Sequence, residues 1–182
     1  DADAEARIAF SMVGAAAGQY LRDRLSANPE MIIGTGWGRT LAHVSRSLSG
    51  VSAPKAKFFS LMGSLSSNSS FSPFEVVHAI AQATGAEGYF LPAPFIADRE
   101  SDRDVFLSQR VVLETMELAK RADLAFVSVG ELTETSLLRT QKMISEEEIA
   151  SLRDLGAVGD TNGIFFDQNG KTVDHDLNRR SV

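Results

Sequence analysis

The chain has 182 residues, of which 43% are hydrophobic and 23% charged, with no cysteine and a formal net charge of -6. The length predicts one domain that buries roughly 70% of its unfolded surface, and the apolar content excludes an intrinsically disordered chain. The lack of cysteine excludes disulfides, thiolate metal sites and thiol nucleophiles. Because the sequence shows neither a membrane-length apolar run nor a signal-peptide pattern, and its charge opposes phosphate-backbone binding, we expect a cytoplasmic α/β domain that binds neither membrane nor, by itself, nucleic acid.

Helical and strand-like segments alternate in the first half. Apolar residues at helical spacing predict a helix over residues 5–25, which Asn28-Pro29 ends. Residues 31–33 form a short apolar strand that leads into a glycine-rich segment and a second helix ending at Gly50. A buried strand follows at 58–62. The Ser72 and Glu75 pair has the spacing of a capping box, and it predicts a helix that stops before Gly85.

The second half continues the pattern and then changes it. The spacing predicts a strand at 88–91, one long amphipathic helix over 104–122 and a buried strand over 124–130. Ser145 and Glu148 form another capping box, for a helix that ends at Gly156. Residues 164–173 resemble a β-hairpin around a turn at 167–170. Four short apolar strands separated by helices predict a parallel sheet with helices on both faces.

The strongest local signal is the segment Gly34-Thr35-Gly36-Trp37-Gly38-Arg39-Thr40, here named the glycine loop (residues 34–40). Glycines let the backbone approach an anion, and the helix that follows offers free N–H groups and a positive dipole end. Arg39 adds a bidentate phosphate donor, Thr40 a hydroxyl, and Trp37 an apolar wall for a sugar ring. The alternative is that the glycines only permit a tight turn and that Trp37 belongs to the core.

Two familiar phosphate motifs do not fit. The glycine loop has the spacing G-x-G-x-G instead of G-x-G-x-x-G, and the second strand ends at Gly63 without a carboxylate for a ribose hydroxyl. A dinucleotide cofactor is therefore disfavoured, and no cofactor is expected. Gly170-Lys171-Thr172 imitates the end of a P-loop, but it lies in the predicted hairpin.

Ligands collect beyond the carboxyl ends of parallel strands. There Ser64 and Ser66 are placed to bond sugar hydroxyls, and Glu131 to accept from one; each is equally compatible with an ordinary loop residue. The three histidines show no metal-ligand spacing, so no metal site is expected. No serine lies in a nucleophile elbow, which leaves no catalytic residues to assign.

The order of several motifs resembles a known family. Gly36-Trp37-Gly38-Arg39-Thr40-Leu41 follows a short strand, and Leu91-Pro92-Ala93-Pro94 and a strand ending near Gly130 come next. Leu155-Gly156-Ala157-Val158-Gly159-Asp160 and Phe165-Phe166-Asp167-Gln168-Asn169-Gly170 complete the set. Over residues 6–182 this set is similar to the effector-binding domain of SorC-type sugar-responsive transcriptional regulators.

The resemblance implies a Rossmann-like, three-layer α/β/α fold akin to sugar-phosphate isomerases and CoA transferases, with a mostly parallel sheet. It implies a sensor of a phosphorylated sugar or related metabolite that forms dimers or tetramers and reaches DNA through a separate helix-turn-helix. By position, Gly36, Gly38, Arg39 and Thr40 map to the phosphate-side loop, and Gly63 with Ser64 to the second strand-end loop.

Relative to the family pattern, the helix-turn-helix and the last βα portion lie outside residues 1–182, so we expect an incomplete effector domain without DNA-binding activity of its own. The expected ligand contacts are Gly34, Thr35, Gly36, Trp37, Gly38, Arg39, Thr40, Gly63, Ser64 and Glu131. The alternative function is a sugar-phosphate isomerase or deaminase on the same fold, for which only Glu131 or Asp98 offers a general base.

Overall fold

The computed structural model describes residues 2–65 and 72–182. In chain order the elements are α1 (Ala2–Ala27), β1 (Ile32–Thr35), a 3-10 helix (Leu41–Leu48), β2 (Lys57–Ser60), α2 (Pro73–Thr84), β3 (Glu87–Tyr89), α3 (Glu100–Ser108), α4 (Arg110–Ala119), β4 (Leu124–Phe126), β5 (Gly130–Glu131), α5 (Leu137–Thr140), α6 (Glu146–Asp154), β6 (Ala157–Thr161), β7 (Ile164–Asp167) and α7 (Asp176–Arg180).

The main sheet has four parallel strands in the order β3-β2-β1-β4. In its register Ile33 stands opposite Phe58 on one side and Leu124 on the other, so the apolar residues of neighbouring strands share a face. Helix α2, the 3-10 helix and α1 cover that face with a continuous buried cluster. The parallel α/β fold that the sequence predicts is confirmed.

Helix α1 packs on the 3-10 helix with no side chain between them at two points. A Cβ on Gly14 would lie 2.6 Å from the Thr40 carbonyl oxygen, and one on Gly18 would lie 2.7 Å from that of Val44. Further along α1, the Arg22 guanidinium donates to the Ser47 carbonyl at 2.7 Å. The two helices are therefore in backbone contact along their common length.

A second, antiparallel sheet has the order β5-β6-β7. Strands β6 and β7 are joined by Asn162 and Gly163, whose φ values of 49° and 77° fit a two-residue type I′ turn. The predicted hairpin over 164–173 is thus only partly right. Its turn exists, since the Asp167 carbonyl accepts from the Gly170 N–H at 2.9 Å. Beyond the turn, however, only the bridge between Phe166 and Thr172 pairs the two arms, and the main partner of β7 is β6.

The predicted helix caps are present. Ser72 accepts from the Glu75 N–H at the start of α2, and Gly85 ends that helix in the left-handed conformation. At α6 the capping box is complete, because Ser145 accepts from the Glu148 N–H and the Glu148 carboxylate accepts from the Ser145 N–H. These local signals fixed both helix starts correctly.

Several element boundaries differ from the predictions. The strands predicted at 58–62 and 88–91 are shorter and shifted, at Lys57–Ser60 and Glu87–Tyr89, and three other differences are larger. The single helix over 104–122 is wrong: Gln109 is extended, at φ -70° and ψ 135°, and separates α3 from α4. The buried strand predicted over 124–130 is wrong in part: β4 ends at Phe126 and forms the sheet edge, and Val129, beyond its end, is 72% exposed. The helix after the glycine loop is a 3-10 helix that begins only at Leu41.

Candidate ligand site

The glycine loop leaves the carboxyl end of β1 and turns toward the second sheet. The Gly36 N–H donates to the Phe126 carbonyl at 2.8 Å, which extends the pairing of β1 with β4. A Cβ on Gly36 would lie 2.7 Å from Asn162 Oδ1, so the type I′ turn of the second sheet abuts the loop at this residue. The loop therefore sits where the two sheets meet.

The tip of the loop is held by side-chain and backbone bonds. The Ser128 hydroxyl donates to the Trp37 carbonyl at 2.8 Å. Gly38 has a φ of 116°, and its carbonyl accepts from the Ala42 N–H at 3.0 Å. Within the described residues, no acceptor bonds the N–H groups of Arg39 and Thr40. Those two N–H groups remain available to an anion at the start of the 3-10 helix.

A cleft of about 330 Å³ opens beside the loop tip. Its lining residues come from α1, the glycine loop, the segment after β4 and α5: Phe10, Gly38, Arg39, Thr40, Ser128, Val129, Gly130, Glu131 and Leu137. Four of the predicted contact residues, Gly38, Arg39, Thr40 and Glu131, are thus brought together. Phe10 and Ser128 could not be predicted as lining residues, because neither lies in a motif.

Arg39 is the cation of this cleft. Its side chain is exposed, and its guanidinium carbon lies 4.7 Å from the centre of the Phe10 ring. Such stacking restrains a guanidinium while leaving its N–H edges free. No carboxylate lies within ion-pair distance of Arg39 in the part of the chain that the structure describes. Its charge is therefore not neutralised by a fixed partner.

An inner pocket of about 40 Å³ adjoins the cleft. It is lined by Trp37, Ser128, Gly130, Glu131, Ser136, Leu137, Leu138 and Asp160. Asp160 is only 5% exposed, and one of its oxygens accepts from the Gly163 N–H at 3.1 Å. Burial raises the pKa of Asp160 from the usual 3.8 to about 6, although the Gly163 hydrogen bond acts in the opposite direction.

Asp160 received no role in the sequence reasoning, although it ends the Gly-Ala-Val-Gly-Asp motif. A Cβ on Gly130 would lie 2.2 Å from Asp160 Oδ1, and the two residues are register partners of β5 and β6. The carboxylate thus occupies the space that a side chain at Gly130 would need. A charged residue in an otherwise apolar and glycine-rich strand was the available signal.

The remaining predicted contacts lie elsewhere. Gly34 and Thr35 belong to strand β1 and are buried. Trp37 is 4% exposed and packs in the core beside Phe95, with ring centres 6.1 Å apart, so its indole lies in the core, as the alternative interpretation of this residue proposed. It reaches only the wall of the inner pocket.

Gly63 and Ser64 continue the parallel pairing of β2 beyond its end. The Ser64 N–H donates to the Ala93 carbonyl at 2.8 Å, and the Ser64 carbonyl accepts from the Phe95 N–H at 3.0 Å. Ser64 lines a separate cleft of about 320 Å³ together with Asp98 and Lys142. The structure therefore does not bring Ser64 to the Arg39 cleft. Ser66 lies outside the described residues.

Three buried oxygens close to the loop have no hydrogen-bond partner among residues 2–65 and 72–182: Thr35 Oγ1, Thr161 Oγ1 and Asn162 Oδ1. Thr35 directly precedes Gly36, and Asn162 abuts it. Unpaired buried polar atoms are uncommon and call for a water or ligand donor. The back of the loop is therefore polar as well. No group of three or more acidic or histidine side chains that could hold a metal ion occurs in the described ranges.

Comparison with protein families matches residues 1–182 to the family described as "Putative sugar-binding domain". The chain belongs to this family of sugar-binding domains. The family is that of DeoR/SorC-type regulators, and the resemblance predicted from the motif order is confirmed. Among curated relatives, the chain is 34% identical over 170 residues to the erythritol catabolism regulatory protein EryD of Brucella abortus, covering 93% of this chain and 54% of the relative.

Solved structures of transcriptional regulators share the fold. A DeoR family transcriptional regulator from Listeria monocytogenes has a TM-score of 0.85 at 20% identity, over 95% of this chain and 67% of that one. The full-length sorbitol operon regulator SorC from Klebsiella pneumoniae has a TM-score of 0.82 at 21% identity, over 94% and 56%. The chain spans about half the length of the curated relatives that it matches. Within the described residues, no helix is both long and apolar enough to cross a membrane.

Proposed function

We propose that this sugar-binding domain is the effector-sensing part of a cytoplasmic bacterial transcriptional regulator of carbohydrate metabolism, and that its effector is a phosphorylated sugar. The observation that carries the proposal is Arg39, an unpaired guanidinium stacked on Phe10 at the mouth of a cleft. A cation restrained in this way is suited to a phosphate, which it binds through two parallel hydrogen bonds.

The neighbouring atoms complete an anion subsite. The free N–H groups of Arg39 and Thr40 and the Thr40 hydroxyl lie on the same rim of the cleft, where the 3-10 helix begins. Backbone N–H groups at a helix start favour negative charge, and they add to the guanidinium. Glu131, which also lines the cleft, is an acceptor for sugar hydroxyls.

We infer that sensing works by population shift. The ligand would favour one arrangement of a dimer or tetramer, and so change how attached DNA-binding segments are spaced on their operator. The acidic chain, with a net charge of -6, is suited to a part of the regulator that does not itself touch DNA. DNA binding is part of this proposal, and we assign it to the longer regulator and not to the sugar-binding domain itself.

The isomerase or deaminase alternative lacks a specific observation in its favour. Its two candidate bases, Glu131 and Asp98, line different clefts. Proton transfer between neighbouring sugar carbons requires an acid and a base within hydrogen-bond reach of one substrate. We therefore favour a sensor. Consumption of a sugar phosphate by the purified chain, abolished by Glu131→Gln, would establish the enzyme instead.

The direct test is binding to the 182-residue chain, measured by calorimetry and by the shift in Tm. The probes are a tetritol phosphate, a pentose phosphate and mannitol 1-phosphate, each with its unphosphorylated form; the tetritol is included because the Brucella relative is named for erythritol catabolism. At least one phosphate ester should bind more tightly than its parent. Arg39→Ala should weaken that binding by about 10- to 100-fold, because hydrogen bonds to charged groups contribute about 1.5–3 kcal/mol.

Two variants make this test specific. Arg39→Lys retains the charge but loses the bidentate geometry, so its affinity should fall between wild type and Arg39→Ala. Arg46→Ala removes an exposed arginine from the 3-10 helix that follows Arg39. Arg46 does not line the cleft, so this variant should bind normally. If no phosphate ester binds, or if Arg39→Ala binds as tightly as wild type, the assignment is refuted.

A further inference from the structure

The cleft and the inner pocket share part of their walls. Ser128, Gly130, Glu131 and Leu137 line both the cleft of about 330 Å³ and the inner pocket of about 40 Å³. The two cavities therefore adjoin. Their volumes allow a bulky group at the outer end and only a small one at the inner end.

The two ends have opposite electrostatic character. Arg39 and free backbone N–H groups lie at the outer end. The inner pocket is lined by two carboxylates: Asp160, which lines this pocket alone, and the exposed Glu131, which it shares with the cleft. No cation is among its lining residues. In the described part of the chain neither carboxylate forms an ion pair. The site is thus polar along its length, with a positive mouth and a negative interior.

The hydroxyl groups of the inner end strengthen this polarity. The Ser128 proton is committed to the Trp37 carbonyl, so Ser128 offers a ligand its lone pairs only. Ser136 accepts from the Arg139 N–H at the start of α5 and retains its own O–H as a donor. The inner pocket is therefore dominated by acceptors, and the groups that satisfy acceptors are ligand hydroxyls.

We propose that the two cavities form one bipartite site that selects a monophosphorylated polyhydroxy compound with uncharged hydroxyls at its far end, and that it rejects the corresponding bisphosphate. This inference rests on the proposed function, since the phosphate at Arg39 fixes the direction of the ligand. Glu131 and Asp160 are the specificity-determining residues.

The volume of the inner pocket and its negative charge both disfavour a second phosphate. A pocket of about 40 Å³ accepts one hydroxymethyl group or about one water molecule, whereas a phosphate brings four oxygens and a double charge. A phosphate dianion has only acceptors to offer, and its oxygens would face the oxygens of two carboxylates. Like charges brought together in a cavity with little water disfavour binding far more than at an exposed surface.

Gly130 makes this arrangement possible. Because it has no side chain, the Asp160 carboxylate fits directly against its backbone, at the position that a Cβ would occupy. The hydrogen bond from the Gly163 N–H holds the second carboxylate oxygen at 3.1 Å. The position of the inner carboxylate is therefore fixed by the second sheet and does not depend on a ligand.

The test compares mannitol 1-phosphate with mannitol 1,6-bisphosphate in calorimetric titrations of the 182-residue chain at neutral pH. The two probes differ only in the second phosphate. Wild type should bind the monophosphate at least about tenfold more tightly than the bisphosphate. Glu131→Gln and Asp160→Asn should each reduce this ratio at least about threefold by improving bisphosphate binding, since each removes one negative charge and retains an oxygen acceptor. Glu134→Gln, an exposed glutamate outside both cavities, should leave the ratio unchanged.

The outcomes separate this inference from the proposed function. If the monophosphate binds in an Arg39-dependent way but the bisphosphate binds equally well or better, the bipartite selection is refuted and the phosphate subsite stands. If neither probe nor any other phosphate ester binds, both proposals fail. If Asp160→Asn does not fold, Glu131→Gln on the exposed rim decides the question, and an unchanged ratio in that variant counts against the inference.

Discussion

Substitution of Asp160 by asparagine should stabilise the protein at neutral pH. Burial raises the pKa of this carboxyl from 3.8 to about 6, so the folded state binds its proton more tightly than the unfolded chain does. The free energy of unfolding therefore falls as the pH rises through this interval, and the full loss is present above it. An uncharged side chain of the same shape avoids that loss.

The magnitude follows from the two pKa values. Their difference corresponds to about 3 kcal/mol at about 1.4 kcal/mol per pH unit. The asparagine oxygen accepts a weaker hydrogen bond from the Gly163 N–H, which offsets about 1 kcal/mol. We expect Asp160→Asn to raise the free energy of unfolding by about 1–2 kcal/mol at pH of about 7.5. By about pH 4.5 most of this gain should have disappeared.

Urea unfolding of both proteins at the two pH values measures this difference. Because wild type and variant share every other titrating group, the comparison removes the contributions of the exposed acids. Glu134→Gln serves as the control for loss of a negative charge and should show a small effect that does not vary with pH. If Asp160→Asn has the same effect at both pH values, or destabilises the protein at about pH 7.5, then burial of the Asp160 carboxylate does not lower the free energy of unfolding, and the reasoning is refuted.

Three further predictions concern the same elements. Gly130→Ala places a methyl group 2.2 Å from Asp160 Oδ1 and should lower the free energy of unfolding by about 1–3 kcal/mol, measured in urea, while weakening mannitol 1-phosphate binding. Phe10→Ala removes the ring beneath Arg39 and should weaken binding of the same ligand by about two- to fivefold in calorimetry, since exposed cation–π contacts contribute about 0.5–1 kcal/mol; unchanged affinity would exclude a restraining role for the ring. Ser145→Ala breaks the α6 capping box and should lower stability by about 1 kcal/mol in the urea assay without changing ligand affinity.

The regular parts of the fold could be predicted because local chemistry determines them. A serine and a glutamate three residues apart define the start of α6, and Gly85 ends α2 in a conformation that other residues rarely adopt. The short apolar strands likewise predict a parallel sheet, since its strands are buried between helices. These signals involve residues that are close in sequence.

The break between α3 and α4 could not be predicted in this way. No proline or glycine lies between Asp104 and Ala122, and the apolar spacing continues through Gln109. Tertiary packing decides the geometry: Val112 of α4 is fully buried in a cluster with Leu91 and Ala93, and Phe106 and Leu107 of α3 are partly buried against the same cluster. The chain bends at the extended Gln109 between the two helices that share this cluster.

The inner part of the candidate site could not be predicted from the sequence either. The glycine loop is recognisable from its composition, and Arg39 is one of its residues. Asp160 joins the site only because β5 and β6 pair in a register that sets it against Gly130. Its neighbour turn, Asn162-Gly163, did carry a recognisable hairpin signal. Applied to the sequence, that signal would have placed Asp160 in the strand before the turn.

Because α1 and the 3-10 helix are in close contact, a movement at the cleft is transmitted along α1. Gly14 and Gly18 leave no side chain to absorb movement, and Leu21 and Leu25 anchor the other end of α1 in the core. From that anchor to Ala2 the helix measures about 35 Å at about 1.5 Å per residue. A tilt of α1 by about 5°, imposed at Thr40, would therefore displace the first turn of α1 by about 3 Å. A rearrangement of the loop that is smaller than one side chain is thus amplified along the helix.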